Sequence, residues 1–186
     1  MAVKIVKVPH PSLRKVANEV SYKDRETQKL VKDLWDALIH SPVEGVGIAA
    51  PQIGDSKRVF ILRHGKRGYR AYINPEIVWE SEERGTSKDG KGGAFLEGCL
   101  SIPGIYGPVI RSLIVEVSYT MCDGRVVKEK LFEPYSRYFQ HELDHLNGVL
   151  FIDHVIKQHG RLYEVNEKDE LVEMALPEVA PVYGNY

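Results

Sequence analysis

The segment Gln140-His141-Glu142-Leu143-Asp144-His145 carries two histidines four residues apart, with a glutamate directly after the first. On a helix that spacing puts both imidazoles on one face, close enough to hold one metal ion. Glu142 is then displaced around the helix, where it approaches a water on the metal without competing to be a ligand. The H-E-x-x-H pattern therefore reads as two metal ligands and a general base. Such a short string also arises by chance, so its setting carries weight. Pro134 stands before it and Asn147-Gly148 after it, the usual order of a helix start and stop.

A catalytic site of the zinc type normally has three protein ligands and one open position. The continuation His145-Leu146-Asn147-Gly148-Val149-Leu150-Phe151 excludes a metzincin, because Phe151 stands where that pattern has its third histidine. A thermolysin-type site needs a glutamate on a later helix, and Glu164, Glu167 and Glu170 fall in a stretch that reads as non-helical. Cys99 is the better third ligand. It lies in Glu97-Gly98-Cys99-Leu100-Ser101, beside a glycine and ahead of Pro103-Gly104, so the backbone there can approach a bound group closely. Cys122, next to the turn signal Asp123-Gly124, reads as an inert buried thiol. With no export signal in view, a Cys99–Cys122 disulfide is not expected. A third constellation is Gly45-Val46-Gly47-Ile48-Ala49-Ala50-Pro51-Gln52, whose ordinary reading is tight core packing. No Gly-Lys-Ser/Thr follows, so it is not a phosphate loop, and its glycines do not match a dinucleotide fingerprint.

These residues must be held by a modest set of elements. Leu30, Val31, Leu34, Leu38 and Ile39 predict a helix over Asp24–His40, and a second runs from Pro134 to Asn147-Gly148. Arg58–Leu62, Tyr69–Ile73 and Ile77–Trp79 read as strands, and Leu113–Met121 with Val126–Phe132 as a hairpin. Val3–Val8 reads as extended, and Ser81–Gly93 as a mobile polar loop. Strands surrounding two helices without βαβ regularity give an α+β class: mixed or antiparallel sheets packed around a central helix that carries the H-E-x-x-H motif. Residues 1–160 form one catalytic domain, and 161–186 an acidic C-terminal tail, hairpin or irregular.

Composition narrows the function classes. The chain has 186 residues, 43% hydrophobic and 27% charged, which is ordinary for a globular domain. Twenty-five Lys and Arg against 26 Asp and Glu, with no long basic run, argue against DNA or RNA as principal partner. Apolar runs such as Leu113-Ile114-Val115 fall far short of the ~20 residues of a membrane helix. The expectation is a cytoplasmic monomer without a membrane segment. The residues themselves reach as far as a Cys-His-His metal hydrolase, with a small metallopeptidase or a silent metal- or peptide-binding module as alternatives.

The glycine-alanine strip ending in Gln52, the Glu-Gly-Cys-Leu-Ser segment and the Gln-His-Glu-x-x-His helix, in this order and with these gaps, resemble the three motifs of peptide deformylase. The similarity runs from about Pro9 to Asp153. It implies a metallohydrolase that removes the formyl group from the N-terminal formylmethionine of nascent peptides and releases formate. By this resemblance Cys99, His141 and His145 hold one divalent metal, ferrous iron in the cell, with zinc, nickel or cobalt as accepted substitutes. Glu142 is implied as the base, and the Gln52 side-chain amide and the Leu100 N–H as donors to the oxyanion. The peptide backbone is expected to add as a strand against Val46, Gly47 and Gly98. Glu97 is expected to pair with Arg111, in support of the ligands.

Two departures from the family pattern stand out. Arg137 and Tyr138 border the implied methionine pocket, and Tyr138 is larger than the residue expected there. Relatives often end in a long basic helix that helps docking on the ribosome. Here the tail sets Arg161 and Lys168 against Glu164, Glu167, Asp169, Glu170, Glu173 and Glu178, a net charge of −4. Any proximity to the ribosome is then transient and does not run through the tail, which ribosomal RNA repels.

Overall fold

The structure, a computed structural model, describes residues 3–65, 68–86 and 95–174. In chain order the elements are α1 (Arg25–Ile39), β1 (Gly47–Ala49), β2 (Val59–His64), β3 (Gly68–Glu80), β4 (Arg84–Gly85), β5 (Leu96–Cys99), β6 (Ile102–Pro108), β7 (Arg111–Ser112), β8 (Ile114–Thr120), β9 (Val126–Phe132), α2 (Tyr135–Leu146), α3 (Phe151–Lys157), β10 (Tyr163–Val165) and β11 (Leu171–Glu173). Short 3-10 turns occupy Pro11–Arg14 and Ala50–Ile53. The strands form a five-stranded sheet in the order β1-β2-β3-β8-β9, a four-stranded sheet β11-β10-β6-β5 and the small pair β4-β7. Every named strand pair is antiparallel. The class is α+β, with α2 as the central helix.

β2 shows why the five-stranded sheet is covered on both sides. Its Val59-Phe60-Ile61-Leu62 run is buried throughout, because alternate residues enter different cores. Phe60 and Leu62 join Phe139, Leu143 and Leu146 of α2. Val59 and Ile61 join Leu30, Val31, Leu34 and Leu38 of α1. The Phe139 ring meets Phe60 and Tyr72 edge-on at 5.1 and 5.4 Å, which fixes the rotation of α2 and so the direction its histidines face. A third core gathers Leu13, Ile102, Ile105, Leu150, Phe151, Val155 and Leu162 between the N-terminal segment, β6 and α3.

Some expectations need correction. Tyr69–Ile73 and Ile77–Trp79 are one strand, β3. Asn74 takes φ 50°, and the register against β8 shifts between Ile73 and Glu76, so Pro75, which has no N–H, sits where the ladder is interrupted. The loop over 81–93 lies in part outside the described residues. Its described beginning is structured, with Ser81 buried and β4 paired to β7. Cys122 is exposed, at the turn between β8 and β9, and is not a buried thiol. Periodicity also missed α3, β5 and β6, each too short or too rich in glycine and proline to show a pattern. After Gly160 the chain makes a hairpin whose first strand pairs with β6 through Tyr163 and Glu164, while Leu162 is fully buried. None of the described helices is long and apolar enough to cross a membrane.

Gly148, which ends the turn after α2, has φ 72°, and a Cβ there would stand 2.8 Å from the Arg14 backbone. Gly54 has φ 83° with nothing within 4 Å of its Cβ position. Gly148→Ala should therefore lose roughly 2 kcal/mol or more in urea unfolding, against about 1 kcal/mol for Gly54→Ala, which carries backbone strain alone. Equal losses would show that the contact with Arg14 relaxes freely.

Candidate active site

Helix α2 lies with one face on the five-stranded sheet and presents His141, Glu142 and His145 towards β1 and β5. One ligand atom each from Cys99, His141 and His145 lies within 4.8 Å of the other two. Cys99 comes at the end of β5, where the pairing with β6 shifts between Gly98 and Cys99. Its Sγ is 3.2 Å from His145 Nε2 and accepts from the Ser101 N–H at 3.4 Å. The His141 Nδ1 faces Glu97 Oε2 at 3.0 Å, which leaves Nε2 directed inward. One thiolate and two imidazoles are a donor set suited to a borderline divalent metal. Burial alone raises the Cys99 thiol, but His145 and His141 beside it bring it well below its ordinary value, towards the thiolate that binds metal. For His141 burial is likewise outweighed, here by Cys99 and Glu97, and its ordinary value is exceeded. The residues fit the metal they are expected to hold.

Behind the ligands is a buried ion network. Glu97 receives Arg111 Nε at 2.6 Å and Nη2 at 2.9 Å, together with Arg137 Nη1 at 2.8 Å. Arg111 also donates to Asp144 at 2.8 Å, and His154 reaches the same oxygen at 2.9 Å. Burial pushes the Glu97 carboxyl up, but Arg111 and His141 overcome it and hold the group well below the usual carboxylate range. A surface contact worth little is thus excluded for Glu97 and Arg111, which are 4% exposed each. Arg137 and Asp144 belong to this network as well. The sequence alone places Arg137 at the pocket, and nothing in its spacing pairs it with Glu97. Asp144 stood inside the motif unassigned.

Glu142 is 4% exposed, and its Oε2 has no hydrogen-bond partner among the described residues. Burial raises its carboxyl to about 7, only partly opposed by His141 and His145. A Cβ on Gly47 would come within 2.6 Å of Glu142 Oε1. The glycine at 47 is therefore required by the carboxylate packed against it. Gln52 sits on the turn after β1. Its Oε1 accepts from the Ala49 N–H at 2.8 Å, which fixes the orientation of the amide and turns Nε2 towards Cys99 Sγ and Ser101 Oγ, both at 3.4 Å.

These groups surround one cavity of about 350 Å³, lined by Val46, Gly47, Gln52, Gly98, Leu100 and Tyr138 among others. β1 and β5 are the end strands of their sheets, and both border it. The Val46 carbonyl accepts from the Arg63 N–H at 2.8 Å, so it is engaged with β2. By strand alternation Gly47 turns its N–H and C=O the other way, to the side where the Ala49 N–H meets Gln52. The sequence-predicted site residues line this cavity or belong to the ion network behind it, except His145, which is buried next to Cys99 Sγ and does not line the cavity.

Comparison with known proteins agrees with this arrangement. The chain matches the polypeptide deformylase family over residues 2–161. A peptide deformylase of Pseudothermotoga lettingae is 42% identical over 153 residues, covering 82% of each chain, and one of Thermomicrobium roseum is 38% identical over 184 residues, covering 94% of this chain and 98% of that one. Among solved structures, the peptide deformylase of Thermotoga maritima superimposes with a TM-score of 0.73 at 38% identity, covering 83% of this chain and 97% of that one. That of Synechococcus elongatus, solved in complex with actinonin, gives 0.71 at 34% identity over 81% and 76%. The chain belongs to the polypeptide deformylase family, metal-dependent hydrolases that remove the N-formyl group from nascent peptides.

Proposed function

We propose that this deformylation is carried by Cys99, His141 and His145 as metal ligands, Glu142 as general base and acid, and Gln52 with the Leu100 N–H as oxyanion donors. The observation that carries the assignment is the unpartnered Glu142 carboxylate beside three converging ligand atoms. A divalent metal held there supplies Lewis-acid chemistry and makes water a usable nucleophile near neutral pH. Glu142, buried and poised at about 7, takes the proton of the attacking water and returns it to the leaving amine. The Gln52 Nε2, oriented through Ala49, and the Leu100 N–H donate to the formyl oxygen as negative charge gathers on it. Formate and a free amino terminus leave. The peptide runs as an extended strand between Val46-Gly47 and Gly98, with its first side chain among Arg137, Tyr138 and Phe95.

Ferrous iron is the metal proposed for the cell, and the cytoplasm the compartment. The enzyme acts as a monomer, and its acidic tail gives ribosomal RNA nothing to attract. Residues 1–160 carry the catalytic machinery, and the tail hairpin adds no residue to the cavity lining. Formate release from formyl-Met-Ala, without cleavage of an unblocked peptide, tests the reading against a metallopeptidase. Absence of both reactions with metal loaded would leave a binding module.

Glu142→Ala should keep its metal while turnover falls by roughly 10²-fold or more, and Gln52→Leu should also keep metal and lose about 10²-fold. Loss of metal from Glu142→Ala would make Glu142 a ligand instead. Cys99→Ser should weaken metal binding and nearly abolish turnover, whereas Cys122→Ser should do neither. The iron form should lose activity in air with oxygen atoms mapping to Cys99 by mass spectrometry, more slowly when nickel replaces iron. Full metal content and normal rates in Cys99→Ser would place the third ligand elsewhere. Tyr138→Val should widen the pocket, raising kcat/KM for a bulky first residue relative to methionine by roughly tenfold. An unchanged ratio would show that Tyr138 does not limit the pocket.

A further inference from the structure

None of residues 3–18 lines the cavity, yet this stretch is hydrogen-bonded to each segment that supplies the proposed chemistry. The Val6 N–H donates to the Gln52 carbonyl at 2.8 Å, and Ser12 Oγ to the Pro51 carbonyl at 2.7 Å. The Val8 N–H donates to the Ser101 carbonyl at 3.1 Å, and the Ala17 N–H to the Leu146 carbonyl, next to His145, at 2.8 Å. The side chain of Lys7 completes the set by donating from Nζ to the Leu100 carbonyl.

That last contact bears on the metal site through one peptide unit. The carbonyl of Leu100 and the N–H of Ser101 are the two ends of the same amide. Lys7 holds the first, and the second donates to Cys99 Sγ. A cation on an amide oxygen polarises the group and strengthens its N–H as a donor. It also fixes the plane of the amide, and with it the turn that aims the Leu100 N–H. An exposed lysine is ordinarily a solvated charge. Lys7 differs because its acceptor is main chain, in a turn where the polar groups of Ser101 are committed: its N–H to Cys99 Sγ, its carbonyl to Val8 and its Oγ to Gln52.

We propose that Lys7 is a positioning residue of this active site: by holding the Leu100 carbonyl it sets the Ser101 N–H on Cys99 and the Leu100 N–H at the reacting carbonyl. The proposal rests on the reading of Cys99 as a ligand and of Gln52 and Leu100 as oxyanion donors. Lys7 acts through a hydrogen bond to the thiolate sulfur, one of the contacts by which a protein tunes a bound metal.

The test uses the full chain loaded with Co²⁺, with formyl-Met-Ala as substrate and the thiolate-to-cobalt absorption as a second readout. Lys7→Met should lower kcat about tenfold, a fraction of what a whole oxyanion donor is worth, with KM within twofold, and should shift the absorption band. Lys7→Arg should restore both, and Lys4→Met, an exposed lysine on the same segment, should change neither. Lys7→Gln, which keeps a neutral donor, should fall between Lys7→Met and the parent, and covers the case in which Lys7→Met does not fold. A parent-like kcat and spectrum in Lys7→Met or Lys7→Gln, or failure of Lys7→Arg to restore them, overturns the proposal. Gln52→Leu, measured alongside, separates the two levels. If it lowers kcat while Lys7→Met does not, the oxyanion donors stand and Lys7 falls. If neither changes kcat, the donor reading falls and takes Lys7 with it.

Discussion

The Glu97 carboxylate is the constraint on which the rest of the site depends. It sits on β5 two residues before Cys99 and is almost fully buried. Two guanidiniums and one imidazole surround it, from β7 and α2. A buried carboxylate is tolerated only when its lone pairs are satisfied, and removing one partner of such a pair costs about 3–5 kcal/mol. Each partner thereby becomes a geometric requirement. Arg111 pins β7 to β5 and reaches on to Asp144 of α2, Arg137 pins the start of α2, and His141 is oriented with its Nδ1 occupied. The placement of the His141 imidazole relative to the β5 strand that carries Cys99 follows from satisfying one buried charge.

Glu142 is treated in the opposite way on the same helix. Its neighbour in sequence has a carboxylate partner, whereas one oxygen of Glu142 has none among the described residues. Desolvation that His141 and His145 only partly offset is what raises its carboxyl to about 7 and leaves it able to exchange a proton near neutral pH. The fold keeps both environments a few ångströms apart by crowding. Gly47 has no Cβ where the Glu142 carboxylate lies, and Gly98 none where the Tyr106 ring passes at 2.7 Å from the Cβ position. A side chain at either place would move the group that the site needs.

The helices and the long hairpin were legible in the sequence because their patterns are long. Leu30, Leu34 and Leu38 repeat at helical spacing over about two turns, and Asp123-Gly124 marks the turn between two alternating runs. The cluster of Cys99, His141 and His145, which could hold a metal, is legible from residue type, spacing and the glycine-rich setting of Cys99. Other features depended on tertiary context. β5 and β6 contain three glycines and two prolines in eleven residues, which suits close approach and hides any alternation. In sequence the glycine at 47 reads as packing or as room for a substrate backbone, whereas in the fold both the Leu62 side chain and the Glu142 carboxylate occupy the space a Cβ would need. Lys7 and Ser101 gave no local signal, since each acts through a partner more than forty residues away.

An unpaired strand edge is usually a hazard, because its free N–H and C=O groups invite pairing with any extended chain. Among the described strands β1, β9, β11 and β5 end the two larger sheets, and two of these edges, β1 and β5, border the cavity. They are three and four residues long, and each includes a glycine. Edges so short offer little to another sheet, but they match the few residues at the end of a peptide. Main-chain pairing also reads no side chain, which suits an enzyme whose substrates share a first residue and differ afterwards. On the proposed reading selectivity is then left to the pocket by Tyr138 and to the groups around Cys99, at the formyl end. Gly47 stands on one of these edges, and its missing Cβ leaves the space where Glu142 Oε1 lies, so one glycine serves both the strand edge and the carboxylate packed behind it.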